Sequence, residues 1–311
     1  MADILIIKLG ALGDFVQALG PCAAIRRHHA RDRITLLTTP PFADLARASG
    51  YFDAVETCGR PGPFDAATWV RLLRVLNAGF ARVYDLQTSD RSSLYRHLMG
   101  FPFSRRPEWS GIAAWSSHPH DNPERDSLHT IERQREQLAA AGVGDVPLPD
   151  VSWVAADGAR FNVKPPYLLL VPGGSAHRPE KRWPAERFAA LARRLIAAGI
   201  TPVLLGARDE AALLDSIAAA APGARSLAGQ TSLMEIAALG RGARAAVGND
   251  TGPMHLIAAT GIPVVVLFSR ASNPALCAPR GPLGTRTVTV LQADDLADLA
   301  EATVALALDL V

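Results

Sequence analysis

Asn249, Asp250, Thr251 and Gly252 follow one another at the end of an apolar run, with His255 one helical turn later. A carboxylate, a hydroxyl and a glycine crowd a point where the N–H groups of a new helix have no intrahelical partner. Such a point suits an anionic, phosphate-bearing ligand near Asp250, Thr251, Gly252 and His255. A second cluster opens the chain, Leu9-Gly-Ala-Leu-Gly13-Asp14. There a carboxylate stands on a tight turn beside glycines that let a substrate come close. Each of these residues also has an ordinary reading. Asp14, Asp250 or Thr251 can cap a helix, and His255 can be a packed histidine.

The elements that position these residues are legible around them. Ala245–Val247 reads as a strand, and Gly248-Asn249-Asp250 as its turn. Pro253 suits the first turn of a helix carried by Met254 to Thr260. Pro263-Val-Val-Val-Leu-Phe268 is an unbroken apolar run, as a parallel strand covered on both faces requires. Further strands are predicted at 3–8, 33–38, 54–57, 82–86, 167–171 and 201–205. Helices are predicted between them and at 127–141, and Phe15, Leu19 and Cys22 form one apolar stripe after Asp14. Strand-helix alternation on this scale means parallel sheets, with ligands beyond the carboxyl ends of strands.

Polar residues recur at the end of the fourth strand, in Gln87-Thr88-Ser89-Asp90-Arg91. The stretch beyond reads as a loop without acidic residues between Asp90 and Glu108, carrying Arg91, Arg96, Arg105 and Arg106. Tyr95, Phe101, Phe103, Trp109 and Trp115 interleave with them, and His118 and His120 follow. The stretch reads either as a solvated loop or as a surface for an anionic, partly apolar partner such as a phosphorylated glycolipid at a membrane.

The Pro-, Gly- and Asp-containing stretch from Gly142 to Phe161 divides the chain. The expected organisation is a Rossmann-like domain at 1–150, a linker at 151–165, a second Rossmann-like domain at 166–293 and a closing helix within 294–311, with a ligand cleft between the two halves.

Composition narrows the function classes. The 311 residues are 49% hydrophobic and 20% charged, an ordinary core-forming balance, and the net charge of +2 gives no argument for nucleic acid. Cys22, Cys58 and Cys277 are scattered, without metal-ligand or disulfide spacing, which fits a reducing cytoplasm. Neither a secretory leader nor an apolar stretch of about 20 residues is present, so membrane contact is expected to be peripheral. The phosphate-loop, nucleophile-elbow and zinc-protease motifs are absent. The second strand ends in Thr38-Thr39-Pro40, without the acidic residue that a nicotinamide ribose needs.

Four segments in order, KLGALGD (8–14), PGGSAHRPEKRWP (172–184), GARDE (206–210) and GNDTGPMH (248–255), resemble glycosyltransferase family nine, the heptosyltransferases of lipopolysaccharide core assembly. The resemblance implies the GT-B fold, two Rossmann-like domains facing across a cleft, with the last helix often crossing back to the first domain. It implies an inverting, metal-independent transfer of a heptose or related sugar from an ADP-sugar to a lipopolysaccharide core or lipid-linked acceptor, with no cofactor. By the same resemblance Asp14 matches the catalytic base, and Lys181 the lysine on the donor diphosphate. Glu210 matches the glutamate on the ribose, and Asp250, Thr251, Gly252 and His255 match the segment around donor phosphate and sugar. Gly13, Arg91, Arg105 and Arg106 are the expected acceptor contacts. The expected partners are the nucleotide sugar and an anionic glycolipid, at the cytoplasmic face of the inner membrane. The sequence departs from the family after the last of these strands. Phe268-Ser269-Arg270-Ala271-Ser272-Asn273-Pro274 stands where Gly-Pro-Thr is usual, which opens the donor's identity. Another nucleotide sugar, a capsule or protein acceptor, or a binding module without catalysis are the alternatives.

Overall fold

The computed structural model describes residues 1–100, 106–175, 177–284 and 286–309. The chain forms two compact units, Met1–Leu148 and Pro149–Val311. Arg105, one of the expected acceptor contacts, lies outside the described residues.

In the first unit, β1 (Asp3–Ile7), β2 (Arg33–Leu37), β3 (Ala54–Glu56), β4 (Arg82–Asp85), β5 (Glu108–Gly111) and β6 (His118–Pro119) form one sheet. Its order is β3-β2-β1-β4-β5-β6, and every pairing is parallel. The helices are α1 (Leu12–Gln17), α2 (Leu19–His28), α3 (Ala43–Ala48), α4 (Ala66–Leu76), α5 (Asp90–Leu98) and α6 (Thr130–Ala140). Ile4 to Ile7 are all buried, because a central parallel strand is covered on both faces. β1 is flanked by β2 and β4, so its carboxyl end, where Lys8 leads toward Asp14, opens beside the end of β4 at Asp85.

The second unit repeats the plan. β7 (Tyr167–Val171), β8 (Thr201–Leu204), β9 (Arg225–Ser226), β10 (Ala245–Asn249), β11 (Val264–Phe268) and β12 (Val288–Gln292) are ordered β12-β11-β10-β7-β8-β9, again all parallel. α7 (Ala185–Ala197), α8 (Ala211–Ala220), α9 (Leu233–Gly242), α10 (Gly252–Ala258), α11 (Pro274–Cys277) and α12 (Glu301–Leu306) complete it. The apolar stripe of α7 (Phe188, Leu191, Ala192 and Leu195) is buried in a core shared with Leu168, Leu170 and Val247. Two parallel α/β sheets of this kind are the GT-B class expected from the sequence.

Several expectations need correction. Residues 90–98 are helix, not loop. Ser89 and Ser92 cap its start reciprocally, each hydroxyl accepting the other's backbone N–H at 3.3 and 2.9 Å. Tyr95 and Trp109 are core residues with no exposed surface, so of the described aromatics in that stretch only Trp115, 80% exposed, stands in solvent. The segment expected to be a linker is packed: Val151, Val154 and Phe161 are buried, and Val151 N–H bonds to Ala259 O at 3.2 Å. The closing segment is shorter than the helix expected over 294–310. It is a 3-10 turn, Leu296–Asp298, followed by α12. Within the second unit Leu296, Leu299 and Val304 of this segment join the core, and Glu301 accepts from Arg187 of α7. β5, β6, β9 and β12 have no counterpart among the expected strands; two of the four are only two residues long.

Candidate active site

In the second unit the site is built from the carboxyl ends of β7, β8 and β10. Asn249 closes β10 and is fully buried. Its amide donates to Pro172 O at 2.8 Å and Gly173 O at 3.1 Å, and its carbonyl accepts Trp183 N–H at 2.9 Å. One side chain thereby ties the turn after β7 and the segment before α7 to the same strand end. Trp183 is anchored in turn, its ring N–H donating to Leu299 O at 2.9 Å. Lys181, ending the 3-10 turn Pro179–Lys181, is thus delivered to Asp250. Its ammonium donates to Asp250 Oδ2 at 2.7 Å, with 14% of the lysine and 10% of the aspartate side chain exposed. The Ser272 hydroxyl donates to the same oxygen at 2.6 Å.

Glu210 is fixed as firmly. Its Oε1 accepts Gly174 N–H at 2.9 Å and its Oε2 accepts Ala207 N–H at 2.8 Å. The carboxylate is held by backbone donors from two strand ends, at a half-buried position, with lone pairs left for hydroxyl donors. The neighbouring glycines have their reason here. A Cβ on Gly173 would lie 2.0 Å from Glu210 Oε1, and one on Gly206 2.9 Å from Oε2. Thr251 stands at the N-cap position of α10 in extended conformation but makes no side-chain capping bond, so capping does not account for it. Gly252 and Pro253 open α10, while His255 is buried within it.

In the first unit Asp14 is not the N-cap of α1, which is Ala11, but it bonds back to that N-cap as the acidic member of a capping box does. It is the third residue of α1, exposed, and its carboxylate reaches back to Ala11 N–H at 3.3 Å. Gly13 precedes it on the same turn. Asp14 lines a cavity of about 320 Å³ with Lys8, Gln87, Thr88, Arg125, Asp126, Arg133, Gln134 and Gln137 among the other walls. Lys8 is buried and donates to Leu86 O at 3.0 Å. Burial pulls its ammonium below the ordinary lysine value, opposed by the nearby Asp14 and Asp85 carboxylates. Beneath the cavity Asp85 is fully buried, and burial pushes its carboxyl up to about 6 against the pull of two backbone N–H bonds, from Thr88 at 3.0 Å and Gln87 at 3.1 Å. Those bonds hold Thr88 at φ 46, a conformation a β-branched residue rarely keeps. Its hydroxyl accepts from Arg125 at 2.9 Å. Three cations, Lys8, Arg125 and Arg133, thus stand around Asp14 and Asp126. This wall can seat an anionic group beside the exposed Asp14 carboxylate.

The expected acceptor arginines are elsewhere. Arg91 is exposed on the first turn of α5 and does not line this cavity. Arg106 lies just before β5 with Ala2, Ile4 and Arg82, at the amino edge of the sheet and so opposite Asp14. Arg125 and Arg133 were missed, although part of the signal was present. Thr130, Arg133, Gln134 and Gln137 are polar at i, i+3, i+4 and i+7 of a helix, the spacing normally kept for an apolar stripe.

Glycosyltransferase family 9 (heptosyltransferase) matches this chain over residues 69–303. The chain belongs to glycosyltransferase family 9. Lipopolysaccharide heptosyltransferase 2 of Escherichia coli K12 is 38% identical over 104 residues, a match that spans 32% of this chain and 30% of the E. coli protein. Two solved structures share the fold along the whole family 9 chain. A glycosyl transferase family 9 protein of Veillonella parvula superposes with a TM-score of 0.83 at 19% identity, covering 99% of this chain and 96% of that one. E. coli ADP-heptose lps heptosyltransferase II superposes with a TM-score of 0.79 at 22% identity, covering 99% and 97%. Family membership and fold therefore rest on separate observations, and the geometry above belongs to a family 9 scaffold.

Proposed function

We propose that this protein transfers a heptose or related sugar from an ADP-sugar to an anionic, lipid-linked acceptor of the lipopolysaccharide core type, inverting the anomeric carbon. The observation that carries the reading is the pairing of Lys181 with Asp250 beside a Glu210 carboxylate seated on backbone donors. Lysine is a compact cation suited to the diphosphate. Glu210 accepts two vicinal ribose hydroxyls, and the opening N–H groups of α10, around Thr251 and Gly252, add donors to phosphate. Lys181 carries charge developing on the nucleoside diphosphate as it leaves, so the reaction has no need of a metal.

Asp14 takes the proton of the acceptor hydroxyl. A carboxylate is too weak a base to ionise an alcohol in advance, so the proton moves as the glycosidic bond forms. An oxocarbenium-like sugar and an attacking oxygen that loses its proton late are the same transition state seen from two sides. The acceptor's anionic groups fall to Lys8, Arg125 and Arg133 around the Asp14 cavity.

The protein works at the cytoplasmic face of the inner membrane by peripheral contact. Among the described residues no helix is long and apolar enough to cross a membrane. Phe64, Val70 and Leu73 are exposed at and on α4, in company with Arg71 and Arg74.

Thermal stability against ADP, UDP, GDP and NAD tests the donor. A ligand at about 100 times its Kd adds about 2.7 kcal/mol, a visible rise in Tm. A rise with ADP alone is expected, followed by turnover of ADP-heptose. A rise with UDP or GDP alone would replace the donor, and one with NAD alone would discard the transferase reading.

A further inference from the structure

Asp250 is asked to do two things at once, to hold Lys181 and to face a ligand. Its backbone is fixed, the N–H donating to Leu267 O at 3.0 Å. Its side chain is not fixed by Lys181 alone, because an ammonium has three equivalent donors and can donate to either carboxylate oxygen. The second restraint comes from Ser272, whose hydroxyl donates at 2.6 Å to the same Oδ2 that takes Lys181 at 2.7 Å. Oδ1 makes no hydrogen bond among the described residues.

The segment that brings Ser272 there is rigid for local reasons. Ser269 is buried, its hydroxyl accepts Ala271 N–H at 3.2 Å, and its carbonyl accepts Ser272 N–H at 3.2 Å. Beyond Ser272 the side chain of Asn273 caps α11, accepting Ala275 N–H at 3.0 Å. This is the stretch, 268–274, in which the sequence departs from the pattern it otherwise resembles, so the hydroxyl on Asp250 comes from this chain's own loop.

We infer that Ser272 is a positioning residue for the donor sugar. It holds Asp250 with Oδ2 committed to Lys181 and Oδ1 turned out as an acceptor for a hydroxyl of the transferred sugar. The inference rests on the donor reading above and adds to it the division of labour between the two oxygens. Without Ser272, Asp250 is free to rotate both oxygens onto the ammonium, and the sugar loses its acceptor while the diphosphate keeps its lysine.

The discriminating comparison is between ADP, which has no sugar to position, and ADP-heptose. Ser272→Ala is expected to raise the dissociation constant and KM of ADP-heptose by about tenfold, the loss of one hydrogen bond. It should leave ADP affinity and Tm unchanged, and Ser272→Thr, which keeps the hydroxyl, should restore the sugar nucleotide. Equal losses for ADP and ADP-heptose would overturn the inference, since the hydroxyl would then serve only the loop. So would unchanged affinity for both. If the unsubstituted protein binds neither ligand, or binds both regardless of Lys181→Ala, the donor reading fails first and takes the inference with it.

Discussion

No Cβ can stand on Gly173 without coming within 2.0 Å of Glu210 Oε1. The contact links the turn after β7 to the 3-10 turn after β8, where the Gly174 N–H donates to the same carboxylate oxygen at 2.9 Å. Gly173→Ala should therefore expel Glu210 from its seat. Overpacking of this kind costs about 1–3 kcal/mol, which a thermal melt resolves. ADP affinity should fall by more than the stability loss explains, because the ribose acceptor has moved. Wild-type nucleotide affinity in Gly173→Ala would remove Glu210 from the donor site.

Asp14 sits exposed on α1 with one weak backbone contact, at 3.3 Å. Asp14→Asn keeps the shape and the helix, so Tm and ADP affinity should hold. Transfer should fall about 100-fold or more, the usual worth of a positioned base. The decisive readout is kcat at saturating donor and acceptor. Turnover within a few-fold of wild type would end Asp14's assignment as the base.

Arg125 and Arg106 make opposite predictions. Arg125 lines the Asp14 cavity, only 17% of its side chain exposed, whereas Arg106 is exposed at the other edge of the sheet. Arg125→Ala should raise the acceptor KM and flatten its dependence on salt, since one cation of the cavity wall no longer meets the acceptor. Arg106→Ala should change neither. If Arg106 alone shifts acceptor kinetics, the anionic end of the acceptor does not enter the Asp14 cavity.

The contrast shows what the sequence makes legible and what it does not. Strands such as Tyr167–Val171 and Val264–Phe268 stand out because a buried parallel strand is apolar at every position. Lys181, Glu210 and Asp250 sit just beyond strand ends or in the segments they pin, so motif and topology point the same way. The acceptor wall is harder to see. Two of its three cations, Arg125 and Arg133, come from a 3-10 turn and from α6, 37 and more residues beyond Thr88, and no local pattern joins Arg125 to Thr88. α5 is hard to see in the sequence because its buried positions are Ser92, Tyr95 and Arg96, which carry no apolar period. Ser272 belongs to the same class of omission, since its contact with Asp250 spans 22 residues and two loops.

The face of α4 gives a test of membrane contact. Phe64 is 99% and Val70 57% exposed, beside Arg71 and Arg74. Sedimentation with vesicles of phosphatidylglycerol and phosphatidylethanolamine should carry the protein down at low salt and less so at high salt. Phe64→Ser with Val70→Ser should weaken it without changing Tm. Sedimentation equal to that with purely zwitterionic vesicles would separate this face from anionic lipid.

Asp85 predicts a pH dependence of stability. Its carboxyl is raised from 3.8 to about 6, chiefly by burial. A carboxyl raised in the fold contributes stability that is fully present below the unfolded value and is lost as pH rises through the folded one. The window is therefore pH 4 to 6, and the full difference amounts to about 3 kcal/mol at most. Asp85→Asn keeps an oxygen for the Thr88 and Gln87 N–H groups and carries no charge at any pH. Its Tm relative to wild type should rise between pH 4 and 7 and then level off. Lys8, close enough to feel the Asp85 charge, opposes the trend by favouring the ionised form. Lys8→Met should therefore steepen the wild-type loss over the same window. A difference between wild type and Asp85→Asn that stays flat from pH 4 to 7 would mean that Asp85 ionises in the fold as readily as in water.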